Sequence, residues 1–170
     1  MREEEFKKEI FPLKDKLFRF ALRILKQREE ARDATQDILV KLWKLRTKLQ
    51  QYNNVEAFAM KSIKNHCLDK LKHEQIKLRT INEWSKEKDV TSHLEGEQKE
   101  LFEQIEKEIE KLPVQQKMAM HLRDIEGLSY KEIQEILQTD IQTVRMNVSR
   151  GRKKIRKELL KIMNYGLQRD

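Results

Sequence analysis

The sequence predicts an all-α chain made of two small helical domains joined by a linker. Three observations carry that prediction. Apolar residues recur at spacings of three and four along several stretches, the period of helices with one buried face. Only 4 Gly and 2 Pro occur in 170 residues, so turns are few. Leu, Ile, Lys, Glu, Arg and Gln dominate, and these residues suit helices better than strands. Hydrophobic residues make up 38% and charged residues 39%, a balance that fits thin helical layers with wet faces rather than one thick core.

The elements follow in order. Residues 3–26 carry Phe6, Ile10, Leu13, Leu17, Phe20 and Ile24 on one helical stripe, with Pro12 placed to bend or start the helix. Residues 28–50 carry Ala31, Ala34, Ile38, Leu42, Leu45 and Leu49 at the same spacings. Gln51-Tyr52-Asn53-Asn54 reads as a short loop. Residues 54–76 carry a weaker pattern of Phe58, Ile63, Leu68 and Leu71. These helices form a first domain, 1–76. Residues 77–100 are polar, lack a clean apolar period and read as a linker. Acids outnumber bases from 83 to 110, so the chain is basic at both ends and acidic between. A second domain, 101–170, opens with Leu101, Ile105, Ile109 and Leu112 on one stripe. Leu112-Pro113 breaks that helix, and Pro113 fits the first turn of the next, which runs to Glu126 and ends at Gly127.

Residues 128–162 read as a helix-turn-helix. Ser129 and Glu132 make a capping box for a short helix whose inner face is Ile133, Ile136 and Leu137. Gln138-Thr139-Asp140 makes the turn. Thr139 with Gln142 forms a second capping box, or Asp140 caps instead. A long helix follows with Val144, Val148, Gly151, Ile155 and Leu159 on its buried stripe. With Val148 facing the core and about 100° per residue, Gln142, Met146, Ser149 and Lys153 fall on the outer side, flanked by Arg145 and Arg150. The N-terminal half of such a helix enters the major groove, so Gln142, Arg145, Met146, Ser149 and Arg150 are candidate base contacts. Arg152, Lys153, Lys154 and Arg156 come later and fit phosphate.

Charge points the same way. The net charge is +8, which favours a polyanionic partner and says nothing of fold. The lone cysteine, Cys67, excludes an intramolecular disulfide and fits a reducing compartment. His66, Cys67 and His73 are poorly disposed for a metal, because adjacent helical side chains point about 100° apart. No stretch approaches the ~18 apolar residues of a membrane span, and the first residues lack the apolar run of a signal peptide. A cytoplasmic protein without cofactor is expected. No Gly-rich phosphate loop, triad or metal set suggests catalysis.

Two faces of the first domain add to this. Beside the core stripe of 28–50 lie Leu39, Val40 and Trp43, with Asp33, Gln36 and Asp37 on the preceding turns. Apolar residues rimmed by acids suggest a protein-binding patch; equally, Trp43 tucked against 3–26 would account for it. On 54–76, Phe58, Lys61, Asn65, Asp69 and Lys72 share a face of ring, amide, carboxylate and bases. That mixture suits unpaired nucleic acid, and it is also what a solvated surface helix would show.

These residues carry a family resemblance over nearly the whole chain. Ala31 to Trp43 resembles the polymerase-binding segment of the extracytoplasmic-function group of the sigma-70 family. Phe58 to Lys72, with Asn65 and Asp69 in place, resembles the helix that melts the −10 element. Leu112-Pro113, Gly127 to Ile133, Thr143-Val144-Arg145 and Ser149 to Arg152 resemble the domain that reads the −35 element. The sequence departs from the family at Phe58 (usually Trp), Lys72 (usually Arg), Gln134 (usually small), the glycine-free turn at Gln138-Thr139, and Gly151 (commonly alanine). The resemblance implies a sigma factor that takes core RNA polymerase to promoter DNA, duplex and melted. Asp33, Gln36, Asp37, Leu39, Val40 and Trp43 would dock on the largest polymerase subunits. The loop Tyr52, Asn53 and Asn54 would help capture a flipped base, and an anti-sigma factor or other regulatory partner is implied. The alternatives are a stand-alone helix-turn-helix regulator that binds duplex DNA as a dimer, and a helical adaptor with an incidental basic face.

Overall fold

The computed structural model describes residues 1–78 and 97–166, with side chains at 75–78, 97–101 and 162–166 left aside. Every regular element among the described residues is helical. The stretch expected as one helix over 3–26 is divided. Helix α1 (Glu3–Glu9) passes through a 3₁₀ turn at Phe11–Leu13, with Pro12 inside it, into α2 (Lys14–Leu25). Pro12 has no N–H to continue the ladder, which accounts for the break. Lys26 then adopts φ 66°, and its N–H closes α2 on the Leu22 carbonyl.

Helix α3 (Arg28–Lys44) buries Ala31, Ala34, Ile38 and Leu42 as the stripe predicts, and Thr35 joins them by donating its hydroxyl to the Ala31 carbonyl. The expected 28–50 helix does not run through. It breaks at Leu45, and a short α4 (Arg46–Leu49) seats Leu49 in the core. Helix α5 (Val55–Leu78) starts where the Asn54 side chain accepts the Ala57 N–H at 2.8 Å, an Asx cap.

In the second half, α6 (Glu97–Glu110) leads to α7 (Val114–Met120). Pro113 is the cap residue before α7 rather than its first helical residue. The expected run to Glu126 widens into a π-type turn at His121–Ile125, where the Glu126 N–H bonds the carbonyl of His121. Gly127, at φ 71°, ends it, and the Leu128 N–H reaches back to the Leu122 carbonyl. A left-handed glycine with that back-bond is the Schellman way of ending a helix. The helix-turn-helix is α8 (Tyr130–Leu137) and α9 (Ile141–Gly166).

The linker expected over 77–100 lies largely outside the described residues; 77–78 close α5 and 97–100 open α6. The two halves do not stand apart. Helix α7 packs on α2 and α8 packs on α5, so buried side chains from Phe6 to Val148 form one continuous cluster. This explains the weak pattern of α5. Its buried residues are Ala57, Ala59, Met60, Ile63, Lys64 and Cys67. Of the four residues expected on the stripe only Ile63 is fully buried, while Phe58, Leu68 and Leu71 are half-buried.

Candidate nucleic-acid interface

The helix-turn-helix is capped as its sequence predicts, with one change. Ser129 and Glu132 satisfy each other's backbone N–H groups, at 3.3 and 2.7 Å. At the second start Asp140 is the cap, not Thr139. Its carboxylate accepts the Thr143 N–H at 2.8 Å and the Thr143 hydroxyl at 2.6 Å, which holds its pKa below the usual value. Val144, Val148, Gly151 and Ile155 are buried, and Gln142, Arg145, Met146, Ser149, Arg150, Lys153 and Arg156 are exposed. Polar and guanidinium groups therefore line one open side of α9, near its N-terminus.

Three residues behave differently from expectation. Arg152 is not a free phosphate ligand: its guanidinium grips Asp124 in a two-pronged pair that ties α9 to the end of the π-type turn. Lys154 reaches the Lys111 carbonyl at 3.4 Å, at the end of the acidic helix. Gln134, which stands where the family usually has a small residue, is exposed and clears the contact between the two helices. Gly151 does the close packing. A Cβ there would lie 2.2 Å from the Met120 sulfur, so any larger residue at 151 would force the Met120 side chain to shift. The turn residue Gln138 takes the left-handed φ of 55° that glycine would take without strain.

On α5, Asn65, Asp69 and Lys72 are exposed and Phe58 and Lys61 half-buried on one side of the helix. Tyr52, 44% exposed, stacks on Phe58 with ring centroids 4.1 Å apart, so the loop residue and the helix aromatic form one platform. Asn53 is exposed, but Asn54 is spent on capping α5. The platform borders a cleft between α3 and α5, lined by Asp37, Lys41, Phe58, Lys61, Ser62, Asn65, His66 and Asp69. Lys41 and Ser62 were not singled out by sequence reasoning, and His66 was weighed there only as a poor metal ligand. Their signal was the register of α3 against α5, which one helix read alone does not give. His66 lies 3.5 Å from Asp37, bridging the two helices.

The α3 face presents a mixture of polar and apolar groups. Asp33, Gln36, Asp37 and Val40 are exposed and Leu39 is half-buried. Trp43 is half-buried too. It meets Phe6 of α1 edge-on at 5.1 Å, and the Arg46 guanidinium covers its ring at 4.5 Å. Of the two placements open from sequence, the tucked one is present, so Val40 rather than Trp43 is the apolar group presented to solvent. Cys67 is buried, which pushes its thiol up to about 12. Among the described residues no group of His, Cys, Asp and Glu is arranged to hold a metal, and no helix is long and apolar enough to cross a membrane.

A polar seam crosses between the halves, built from residues far apart in the chain. Arg19 of α2 makes a two-pronged bond to Glu126, at 3.0 and 2.8 Å. The same carboxylate, 2% exposed, accepts from His121 Nε2 at 3.1 Å. Burial works against the Glu126 carboxylate, yet Arg19 holds its pKa below the usual value. Burial drives His121 down to about 4, with the Arg23 and Arg19 cations adding to it against the pull of Glu126. Its ring leans on Phe20 across the seam at 5.6 Å. Arg23 pairs with Glu106 at 2.6 Å, Lys26 with Glu110 at 2.7 Å, and buried Lys117 with Glu110 at 3.2 Å. Finally Lys64 of α5, 5% exposed, donates to the Gln138 side chain at 3.2 Å.

Comparison with known proteins yields two family models in register with these halves. Residues 12–76 match the model of sigma-70 region 2, and residues 102–155 match that of sigma-70 region 4. The two matched segments together span well over half of the chain. Among solved structures, the chain resembles the sigma factor RpoE in its complex with the anti-sigma factor NepR from Bartonella quintana. The superposition covers 94% of this chain and 98% of that one, with a TM-score of 0.78 at 22% identity. At that identity the likeness establishes a shared fold, including the placement of both helical halves.

Proposed function

The chain belongs to the sigma-70 family, as an RNA polymerase sigma factor that serves promoter recognition and transcription initiation without catalysis of its own, and from this premise we propose how its faces divide the work. The family binds core RNA polymerase and promoter DNA. Asp33, Gln36, Asp37, Leu39 and Val40 are assigned to the polymerase, with Trp43 shaping that face from behind. The Tyr52–Phe58 platform, with Asn53, Lys61, Asn65, Asp69 and Lys72, is assigned to the melted −10 strand, where rings stack, amides meet base edges and ammonium groups meet phosphate. Gln142, Arg145, Met146, Ser149 and Arg150 are assigned to −35 base edges, and Lys153, Lys154 and Arg156 to phosphates. The two-region architecture fits the extracytoplasmic-function type, acting in the cytoplasm with its polymerase. Control by an anti-sigma factor is the natural reading, since the solved relative is bound to one.

The observation that carries the assignment is the α9 face: exposed polar and Arg side chains on the first turns of a helix whose opposite side is buried. In vitro transcription from a genomic fragment library, with core polymerase and the purified chain, tests it. Discrete start sites that vanish without the chain, and duplex binding that tightens strongly once polymerase is added, are expected. Tight duplex binding by the isolated chain with no effect on start sites would mean a stand-alone regulator instead.

A further inference from the structure

Of the two arginines assigned to −35 base edges, one is held by another residue before DNA arrives. The Arg145 guanidinium lies over the Tyr130 ring, 5.4 Å from its centroid, while Arg150 has no side-chain partner among the described residues. Tyr130 is the first residue of α8. Its backbone follows the Ser129–Glu132 capping box, and its half-buried ring packs against the core. A second guanidinium shares that ring. Arg123, in the π-type turn, lies 4.7 Å from the same centroid and donates to the Leu128 carbonyl at 2.8 Å. Neither arginine is drawn off by a carboxylate among the described residues, and Asp124, next to Arg123, is taken by Arg152. The π-type turn, α8 and α9 thus converge on one aromatic ring, which belongs to none of the DNA contacts assigned above.

We propose that Tyr130 is a positioning residue for −35 recognition: its ring holds the Arg145 guanidinium in a limited set of orientations and so sharpens the base preference that Arg145 carries. The inference rests on the assignment of α9 to −35 base edges. The negative face of an aromatic ring attracts a planar cation, and a guanidinium over a ring still has donors to spare for a second partner. A long side chain that is free in solution gives up its freedom on binding, whereas one already ordered gives up less. Two-pronged reading of a guanine edge needs the fork to be oriented as well as near. Orientation is what a fixed ring supplies, and this ring is fixed three times over. Its backbone is capped, its side is packed, and its other cation is anchored on the Leu128 carbonyl. The ring and not the hydroxyl carries the role, so phenylalanine should serve as well.

The test selects from a randomised −35 library with the full chain bound to core polymerase, as wild type, Y130F, Y130L, R145A and the double variant of Y130L with R145A. Circular dichroism checks the helix content of each. Y130L should soften preference at one −35 position by about two- to fivefold, the range of an exposed contact between a cation and a ring. Y130F should match wild type. R145A should abolish preference at that same position, and adding Y130L to it should change nothing more. A loss in Y130L spread evenly over all positions, a loss at a position other than that of Arg145, or an additive double variant would overturn the proposal. So would a uniform weakening by Y130F, which would make the hydroxyl a phosphate contact. In the free chain, NMR relaxation of the arginine Nε–H groups should find Arg145 more ordered than Arg150 in wild type, and level with it in Y130L. Equal order in wild type would overturn the proposal even where Y130L fails to fold. A wild-type holoenzyme that enriches no −35 sequence would overturn the assignment of α9 and the specificity role with it, while relaxation would still decide whether the ring holds Arg145.

Discussion

The two helices assigned to DNA, α5 and α9, are embedded in opposite ways. Counting about 100° per residue, the fully buried residues of α9 from Val144 to Ile155 fall within a sector of roughly 60°. Those of α5, from Ala57 to Cys67, spread over roughly 160°. Helix α9 is a rail lying on one bed. Helix α5 is a wall with α2 and α3 on one side and α8 on the other. The lesson is that a nucleic-acid face can be carried either by a helix that is mostly free or by one that is mostly committed to structure. In the second case only a narrow strip, here Phe58, Lys61, Asn65, Asp69 and Lys72, is available for contact.

The comparison is most strongly tested in the wall. Ile63 is fully buried, so Ile63→Ala should cost about 2 to 5 kcal/mol in chemical unfolding, the range for large-to-small changes in a packed core. A loss below about 1 kcal/mol would mean that the wall is loosely packed. Next comes acidity at the seam. His121 is held down near 4 by burial, so its neutral form is favoured in the packed protein. That contribution is complete above the ordinary value of about 6.5 and is lost as the pH falls toward 4, up to roughly 3 kcal/mol at one unit per 1.36 kcal/mol. Glu126, with its pKa lowered mainly by Arg19 against its burial, loses stabilisation in acid as well, so the two effects have the same sign. Unfolding midpoints measured between pH 7.5 and 4.5 should fall for wild type and fall less for His121→Phe; parallel slopes would remove His121 from the account. The smallest structural effect is expected on the rail. Arg150→Ala should leave stability within about 0.5 kcal/mol, as for other exposed positions. It should still weaken −35 binding by about 1 to 3 kcal/mol and relax preference at one base. Selection from a randomised −35 library with equal sharpness for both proteins would move the base reader along the helix.

This asymmetry also explains which parts were legible in the sequence. The rail was readable because one bed leaves one stripe: Val144, Val148, Gly151 and Ile155 are buried as expected, while Leu159, past the packed stretch, is only half-buried. Its caps were readable because Ser129–Glu132 is a local exchange, although the choice between Thr139 and Asp140 needed the actual backbone. The wall was not readable in the same way. Small residues such as Ala57 and Ala59, and a buried ammonium such as Lys64, do not register as core in a pattern search. Trp43 stayed ambiguous because its burial depends on Phe6, far away in the chain. The seam was the least legible feature, since Arg19 and Glu126 are separated by 107 positions and look like ordinary surface charges until the fold brings them together.

The Lys64–Gln138 contact bears on how interchangeable the two halves are. Regions of such proteins invite exchange between relatives, on the view that each is a self-contained module. Here a turn residue of the DNA-reading half accepts a hydrogen bond from a lysine that is 5% exposed in the other half. A hybrid that keeps the first half and imports a turn with glycine at position 138 would leave that ammonium shut in without this acceptor, at a penalty of about 1 to 3 kcal/mol. The modules of this chain are therefore matched parts, and a working hybrid would have to replace Lys64 together with the imported turn.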